Sequence, residues 1–302
     1  MSEYITHIAV QEDTQRLALH ADEICEAFKT CMRESPDAMR MGSASRGNST
    51  FIIQNIHHFR DLWKERKPED RLEDQLAYTL GWITHRAADR YFKPRYGIFD
   101  KNPENLHPVD IRIYHDVVMY DKVYGNGKNS PFSAGFAEEN MQSHPAANQI
   151  NVTQAEAIFG PLYQADFLAL QSFDGVKSGK EFMNRMESQF ATFTVDFKRL
   201  VNLVNNPVLE DMQQMIIAPN FYNDQDPIIK IARNIQLGES VEGMSMAEAL
   251  NTEGQSQYAQ TLSKAFNWIA EASKYFEYQS DKDMEGMYDA FNINDDQKIE
   301  RY

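Results

Sequence analysis

The chain has 302 residues, of which 42% are apolar and 25% charged, and its formal net charge is −15 at pH 7. These proportions are ordinary for a globular protein and exclude wholesale disorder. An acidic balance disfavours a nucleic-acid duplex or an anionic lipid surface as the main partner, because both need a basic face. Because no apolar run approaches the ~20 residues that span a bilayer and the N-terminus lacks a signal-peptide pattern, we expect a cytoplasmic protein without a transmembrane segment.

Helical periodicity dominates the sequence, and the alternating pattern of strands is nearly absent. Apolar positions three and four apart predict helices over about 14–32, 51–63, 68–92, 109–124, 180–205 and 262–278. The Ser35-Pro36-Asp37 turn should end the first helix and Pro94 the third, with a flexible loop over 42–49. The sequence therefore predicts an all-α protein, a multi-helix bundle.

A stretch over 129–149 is the best candidate for a linker or long loop. It would separate a metal-binding helical region, 1–128, from a second helical region of unknown type, 150–302. The pattern leaves open whether these regions are two domains or two halves of one bundle, and it leaves the oligomeric state open.

The predicted helix over 68–92 carries the strongest chemical signal. His85 and Asp89 lie four residues apart, so they share one face of this helix. Tyr78, Trp82 and Phe92 stand at helical steps from both, which indicates a buried helix. A buried carboxylate beside a buried imidazole must be paired or bound to a metal, because an isolated buried charge costs several kcal/mol. A backbone partner for the histidine and a metal are both compatible with this pattern.

Further histidines and aspartates occur near the other helices of the N-terminal half. They are His7, Asp37, the pair His57 and His58, and His115. One such residue per helix is how a helical bundle builds a metal site in its core. Nitrogen and oxygen donors without thiolate suit zinc, and iron or manganese accept the same donors.

The order of these motifs resembles the zinc-dependent phospholipase C family, to which the S1/P1-type nucleases are related. The matching segments are Thr6-His7, Ser35-Pro36-Asp37, His58-Phe59 and the helix from Leu80 to Asp89, which reads Leu-Gly-x-x-x-His-x-x-x-Asp. The resemblance covers about residues 4–121 and implies a helical zinc enzyme that hydrolyses phosphoric esters. It assigns Asp37, His58, His85 and Asp89 to one zinc, with Asp89 able to bridge to a second ion bound by His7. Whether His57 or His58 is the ligand stays open.

The chain departs from the family pattern at a third metal. Lys93-Pro94 stands where the family has a His-Pro, and His115 is followed four residues later by Met119 rather than glutamate. The resemblance therefore implies that His115 is the only ligand of the third site that is kept, and we expect one or two zinc ions.

Three functions compete at this level. The first is a metal-dependent hydrolase of a small phosphoester or phospholipid-like substrate, with Asp37 as ligand or base and Lys93 or Arg86 offsetting the charge of the substrate. The second is a non-catalytic metal-binding scaffold or interaction protein. The third, an HD-type phosphohydrolase, rests on the adjacent pair His115-Asp116.

Overall fold

The computed structural model describes residues 4–44, 49–99, 119, 122–124, 220–240, 245–278 and 281–291. The chain divides into two compact units, residues 1–6 with 95–218 and residues 7–94 with 219–302, and the second holds almost all of the described residues. The predicted linker over 129–149 and the predicted helix over 180–205 lie outside the described residues. The predicted helix over 109–124 is described only at residues 119 and 122–124.

The described residues form helices and contain no strand, which confirms the all-α prediction. The helices are α1 (Tyr4–His20), α2 (Glu26–Glu34), α3 (Pro36–Ala44), α4 (Ser49–Leu62), α5 (Leu72–Phe99), α6 (Pro227–Leu237), α7 (Met246–Leu250), α8 (Gln257–Tyr278) and α9 (Asp281–Phe291). In the second unit, α8 packs against α9, α4 and α6. None of the helices described here combines the length and the apolar character that crossing a bilayer requires.

The prediction of a single first helix over 14–32 is wrong in both of its ends and in its continuity. The structure has two helices here, α1 and α2, separated by residues 21–25. The break contains no glycine or proline. Its cause is a distant contact, because the backbone N–H of Cys25 donates to the hydroxyl of Ser273 on α8 at 2.7 Å, and Ile24 and Cys25 are buried. A bond between residues so far apart in sequence leaves no local signal.

The sequence pattern also does not predict that α1 begins at Tyr4, because this helix has buried charged side chains. Gln11, Glu12 and Asp13 are at most 4% exposed, so the apolar stripe that identifies a helix is interrupted by polar residues. Glu12 is neutralised by Arg40 of α3, whose Nε lies 2.8 Å from its carboxylate.

The buried carboxylate of Asp13 joins α1 to the C-terminal helices. Arg16 of the same helix binds one carboxylate oxygen at 2.7 Å. The other oxygen accepts hydrogen bonds from Arg233 of α6 and, at 2.8 Å, from the hydroxyl of Tyr258 on α8. Removing one partner of such a buried network typically costs about 3–5 kcal/mol, because it leaves an uncompensated charge. This network therefore fixes α1 against α6 and α8.

The long helix α5 differs from its predicted bounds at both ends. It begins at Leu72, after a 3-10 turn over Pro68–Asp70, and it continues past Pro94 to Phe99. Arg71, which links the turn to the helix, has a positive φ of 52°. Pro94 removes one backbone hydrogen bond but does not end the helix.

Helices α3 and α5 run in the same direction and touch at two glycines. Near their starts, the hydroxyl of Ser35 donates to Asp74 at 2.6 Å. Two turns later, a Cβ added at Gly81 would lie 2.1 Å from the carbonyl oxygen of Met39, and one added at Gly42 would lie 2.0 Å from the carbonyl oxygen of Tyr78. No side chain fits such a gap, so only glycine allows the two backbones to approach this closely.

Replacing Gly81→Ala should destabilise the protein strongly. The added methyl group meets backbone atoms of α3 that cannot rotate away, so the two helices must separate. We expect the free energy of unfolding to fall by about 3 kcal/mol or more, measured by urea denaturation.

The matched control is Gly286→Ala, inside α9. The nearest atom to its added Cβ is a carboxylate oxygen of Glu271 at 3.0 Å, at the end of a flexible side chain. Because alanine is the better helix former, this change should leave stability unchanged or raise it by up to about 1 kcal/mol. An equal loss in both variants would contradict the close contact at Gly81.

Candidate metal centre

Three of the residues predicted from the sequence come together in the core of the second unit. His7 of α1 and His85 and Asp89 of α5 place one ligand atom each within 4.8 Å of the other two. Their exposed fractions are 2%, 3% and 4%. Neighbouring turns of α5 present His85 and Asp89 on one face, and α1 supplies His7.

The imidazoles of His7 and His85 lie near different oxygens of the Asp89 carboxylate. The Nε2 atom of His7 lies 3.7 Å from Oδ1 of Asp89, and the Nε2 atom of His85 lies 3.5 Å from Oδ2. The rings of the two histidines stack, with centroids 4.3 Å apart and planes 17° from parallel. All three donor groups therefore converge on one small volume.

A backbone carbonyl of α3 fixes the tautomer of His85. The Nδ1 atom of His85 lies 2.8 Å from the carbonyl oxygen of Ser43. A carbonyl only accepts hydrogen bonds, so Nδ1 carries the proton and donates. The Nε2 atom then presents its lone pair toward Asp89. This carbonyl belongs to the last turn of α3, where backbone oxygens have no partner inside the helix.

Burial keeps His85 neutral. Desolvation and the neighbouring His7 lower the pKa of His85 to about 4, although Asp89 and Ser43 oppose the shift. With Nδ1 donating to Ser43 and the ring neutral, the Nε2 lone pair of His85 lies 3.5 Å from Oδ2 of Asp89, and a cation shared by these two atoms would stabilise them.

Two of the three donor separations are compatible with a shared metal ion. Hydrogen bonds between an imidazole and a carboxylate are about 2.7–2.9 Å long, shorter than the 3.5 and 3.7 Å measured here. Two ligands of a tetrahedral zinc ion, each about 2.0–2.1 Å from the metal, stand about 3.4 Å apart. A carbonyl that orients a ligating histidine through its other nitrogen is also the usual outer partner in metal sites. Two histidines and one carboxylate also suit iron(II).

Two other predicted ligands are not part of this group. Asp37 lies in the first turn of α3, where its side chain is 79% exposed and bound to Arg40 at 2.6 Å. His58 is half-buried on α4 and packs beside Phe59. Its neighbour His57 instead contacts the hydroxyl of Tyr275 on α8. Among the described residues, the group around Asp89 therefore includes neither Asp37 nor either histidine of α4.

The remaining predicted site residues are not placed. Lys93 lies within α5, but its side chain is outside the described residues, as are His115 and the pair His115-Asp116. Cys25 and Cys31 are buried, and neither belongs to the group around Asp89.

Sequence reasoning missed the contribution of α3. Ser43 acts through its backbone carbonyl, and no side-chain pattern reports a carbonyl. The available signal was Gly81, one turn before His85, because a glycine inside a buried helix often marks a close approach of another backbone. Together with Gly42 it brings the end of α3 within reach of His85.

Comparisons with protein-family models, curated proteins and solved structures found no match to this chain. The candidate centre therefore rests on its own geometry.

The free energy of unfolding of the metal-free chain should fall as the pH is lowered from 6.5 to 4. Over this range the unfolded chain protonates His85, whose ordinary pKa is 6.5, while the folded chain, with a pKa of about 4, does not. The unfolded state binds more protons, so acid favours it, by about 3 kcal/mol across the range for this one group. Urea denaturation at several pH values, with a chelator present, measures the slope.

The control is His85→Gln, which does not titrate and keeps an amide donor for the Ser43 carbonyl. His57 and His58 also have pKa values lowered by burial, and they contribute equally to both proteins. If the two proteins show the same slope, His85 is not the buried neutral group described here.

Proposed function

We propose that this chain is a metal-dependent hydrolase of a small phosphoester, with one zinc ion held by His7, His85 and Asp89. The observation that carries the proposal is the convergence of two imidazole Nε2 atoms on one carboxylate at distances too long for hydrogen bonds. The donation from His85 to Ser43 adds to it, because it leaves the lone pair of His85 free for a metal.

Each residue has a defined part in this proposal. His7 and His85 provide neutral nitrogen donors, and Asp89 provides an anionic oxygen that offsets part of the metal charge. When bound, zinc would polarise a phosphoryl oxygen and lower the pKa of a bound water toward 7. Three protein ligands with a further position for water is the arrangement of catalytic zinc sites, whereas structural sites are closed by four protein ligands.

The resemblance to the zinc-dependent phospholipase C family supports the same proposal through its most specific segment. The helix from Leu80 to Asp89 supplies His85 and Asp89 of the proposed centre, together with Gly81, where α3 approaches closely. Asp37 is not a ligand of the ion proposed here. A role for Lys93 toward the substrate, His115 as a further ligand and a cytoplasmic location stay predictions.

The second candidate is a structural metal in a protein without catalytic activity. The observation that favours it is burial, since no ligand is more than 4% exposed and a substrate must reach the metal. The two functions share one centre, so metal content alone does not separate them.

Elemental analysis of the purified chain should find about one equivalent of a transition metal, zinc in the first instance. Asp89→Asn and His85→Ala should lose most of it and unfold at lower temperature, because the binding energy of a buried metal is also folding energy. His20→Ala is the matched control, since His20 is exposed at the end of α1. No metal in the wild-type protein, even after zinc is supplied, would refute both candidates.

A measurement of catalytic turnover distinguishes the hydrolase from a protein with a structural metal. The zinc-loaded chain should hydrolyse an activated phosphodiester, such as bis(4-nitrophenyl) phosphate, and His85→Ala should abolish this while His20→Ala does not. A full equivalent of zinc without any turnover would favour the structural role.

A further inference from the structure

Within the described residues, three neighbouring basic side chains of α5 and α8 have no ion pair with a carboxylate. Arg86 and Arg90 stand one turn apart on α5, and Lys264 belongs to α8. The guanidinium carbon of Arg90 lies 6.0 Å from the ring centroid of Trp268, and the ammonium nitrogen of Lys264 lies 5.1 Å from the same centroid. The buried indole of Trp268 thus lies near one cation from α5 and one from α8.

These cations differ from other basic residues of the described part of the chain. Arg16, Arg40 and Arg233 each bind a buried carboxylate of α1. Within the described residues, by contrast, no carboxylate lies within 4.0 Å of the charged nitrogens of Arg86, Arg90 or Lys264. The Nε atom of Arg86 is buried and has no hydrogen-bond partner there.

The positive charges of Arg86, Arg90 and Lys264 are close enough to affect one another. Burial lowers the pKa of the Lys264 ammonium, and the nearby guanidinium of Arg90 lowers it further. Like charges at short range destabilise a fold unless an anion lies between them. The chain has a net charge of −15, yet the described residues place no carboxylate in an ion pair with this cluster.

The cluster adjoins the candidate metal centre. A residue of an α-helix is rotated by about 100° from the one before it, so Arg86 and Arg90 form the stripe next to His85 and Asp89. Asp89 lies close enough to Arg86 to oppose the lowering of its pKa by burial. A divalent ion on this carboxylate would leave the region with a clear excess of positive charge.

We propose that Arg86, Arg90 and Lys264 form a subsite for a doubly charged oxyanion, the phosphate group shared by phosphomonoesters and inorganic phosphate. Guanidinium groups match the oxygens of phosphate in pairs, and an ammonium adds a point charge. As a substrate subsite the cluster rests on the proposed function above, for which it would orient the phosphoryl group toward the metal. As an anion site it depends only on these three side chains.

Isothermal titration of the purified full-length chain with inorganic phosphate tests the subsite. The wild-type protein should bind phosphate, with an affinity that falls as sodium chloride is raised. The double variant Arg90→Gln with Lys264→Gln should bind it about tenfold more weakly or worse, with unchanged zinc content and far-UV circular dichroism. Arg90→Lys, which keeps the charge but loses the paired donors, should fall between the two.

The matched control is Lys274→Gln, on the same helix α8. Lys274 is paired with Glu271 at 2.6 Å and is half-exposed, so its loss should not change the affinity for phosphate. Wild-type affinity in the double variant would overturn the subsite, even in a chain that holds zinc and turns over substrate. Charge-dependent phosphate binding by a chain that holds no zinc would support the subsite and refute the proposed function.

Discussion

Two helix backbones touch where Gly42 of α3 meets Gly81 of α5, and the geometry of the candidate centre depends on that contact. It brings the last turn of α3 against α5 one turn before His85. The Ser43 carbonyl lies in the last turn of α3 and accepts a hydrogen bond from the Nδ1–H of His85. That bond selects the tautomer and aims the other nitrogen at Asp89. Backbone packing, rather than side-chain chemistry, therefore sets the orientation of this histidine.

Two buried carboxylates, Asp13 and Asp89, have different surroundings. Asp13 is surrounded by donors that carry protons, Arg16, Arg233 and Tyr258, at hydrogen-bond distance. Asp89 faces imidazole nitrogens at 3.5 and 3.7 Å. Both carboxylates escape the large cost of an isolated buried charge, the first through fixed donors of the protein and the second, in our proposal, through an ion. The same residue type in the same kind of core thus serves different ends.

The sequence predicted the fold class correctly, and three of the six predicted ligands, His7, His85 and Asp89, lie together as a group that could hold a metal ion. The four-residue spacing of His85 and Asp89 was decisive because a helix converts spacing directly into a shared face. The start of α1 and the break before α2 could not be predicted, since Glu12, Asp13 and Cys25 take their partners from distant helices. Asp37 and His58 matched a family order, but order along the chain does not report distance in space. Ser43 contributes a backbone atom, which composition cannot display.

His7, a proposed ligand, lies on α1, and the residues that hold α1 in place are synthesised late. His7 lies on α1, and α1 is held by Arg233 and Tyr258, more than 200 residues further along the chain. A growing polypeptide exposes His7, His85 and Asp89 long before those anchors leave the ribosome, and contacts of such separation form slowly. The nascent chain therefore carries all three residues through most of translation without the contacts that bring them together, and a metal bound there would be acquired late, with the arrival of the C-terminal helices.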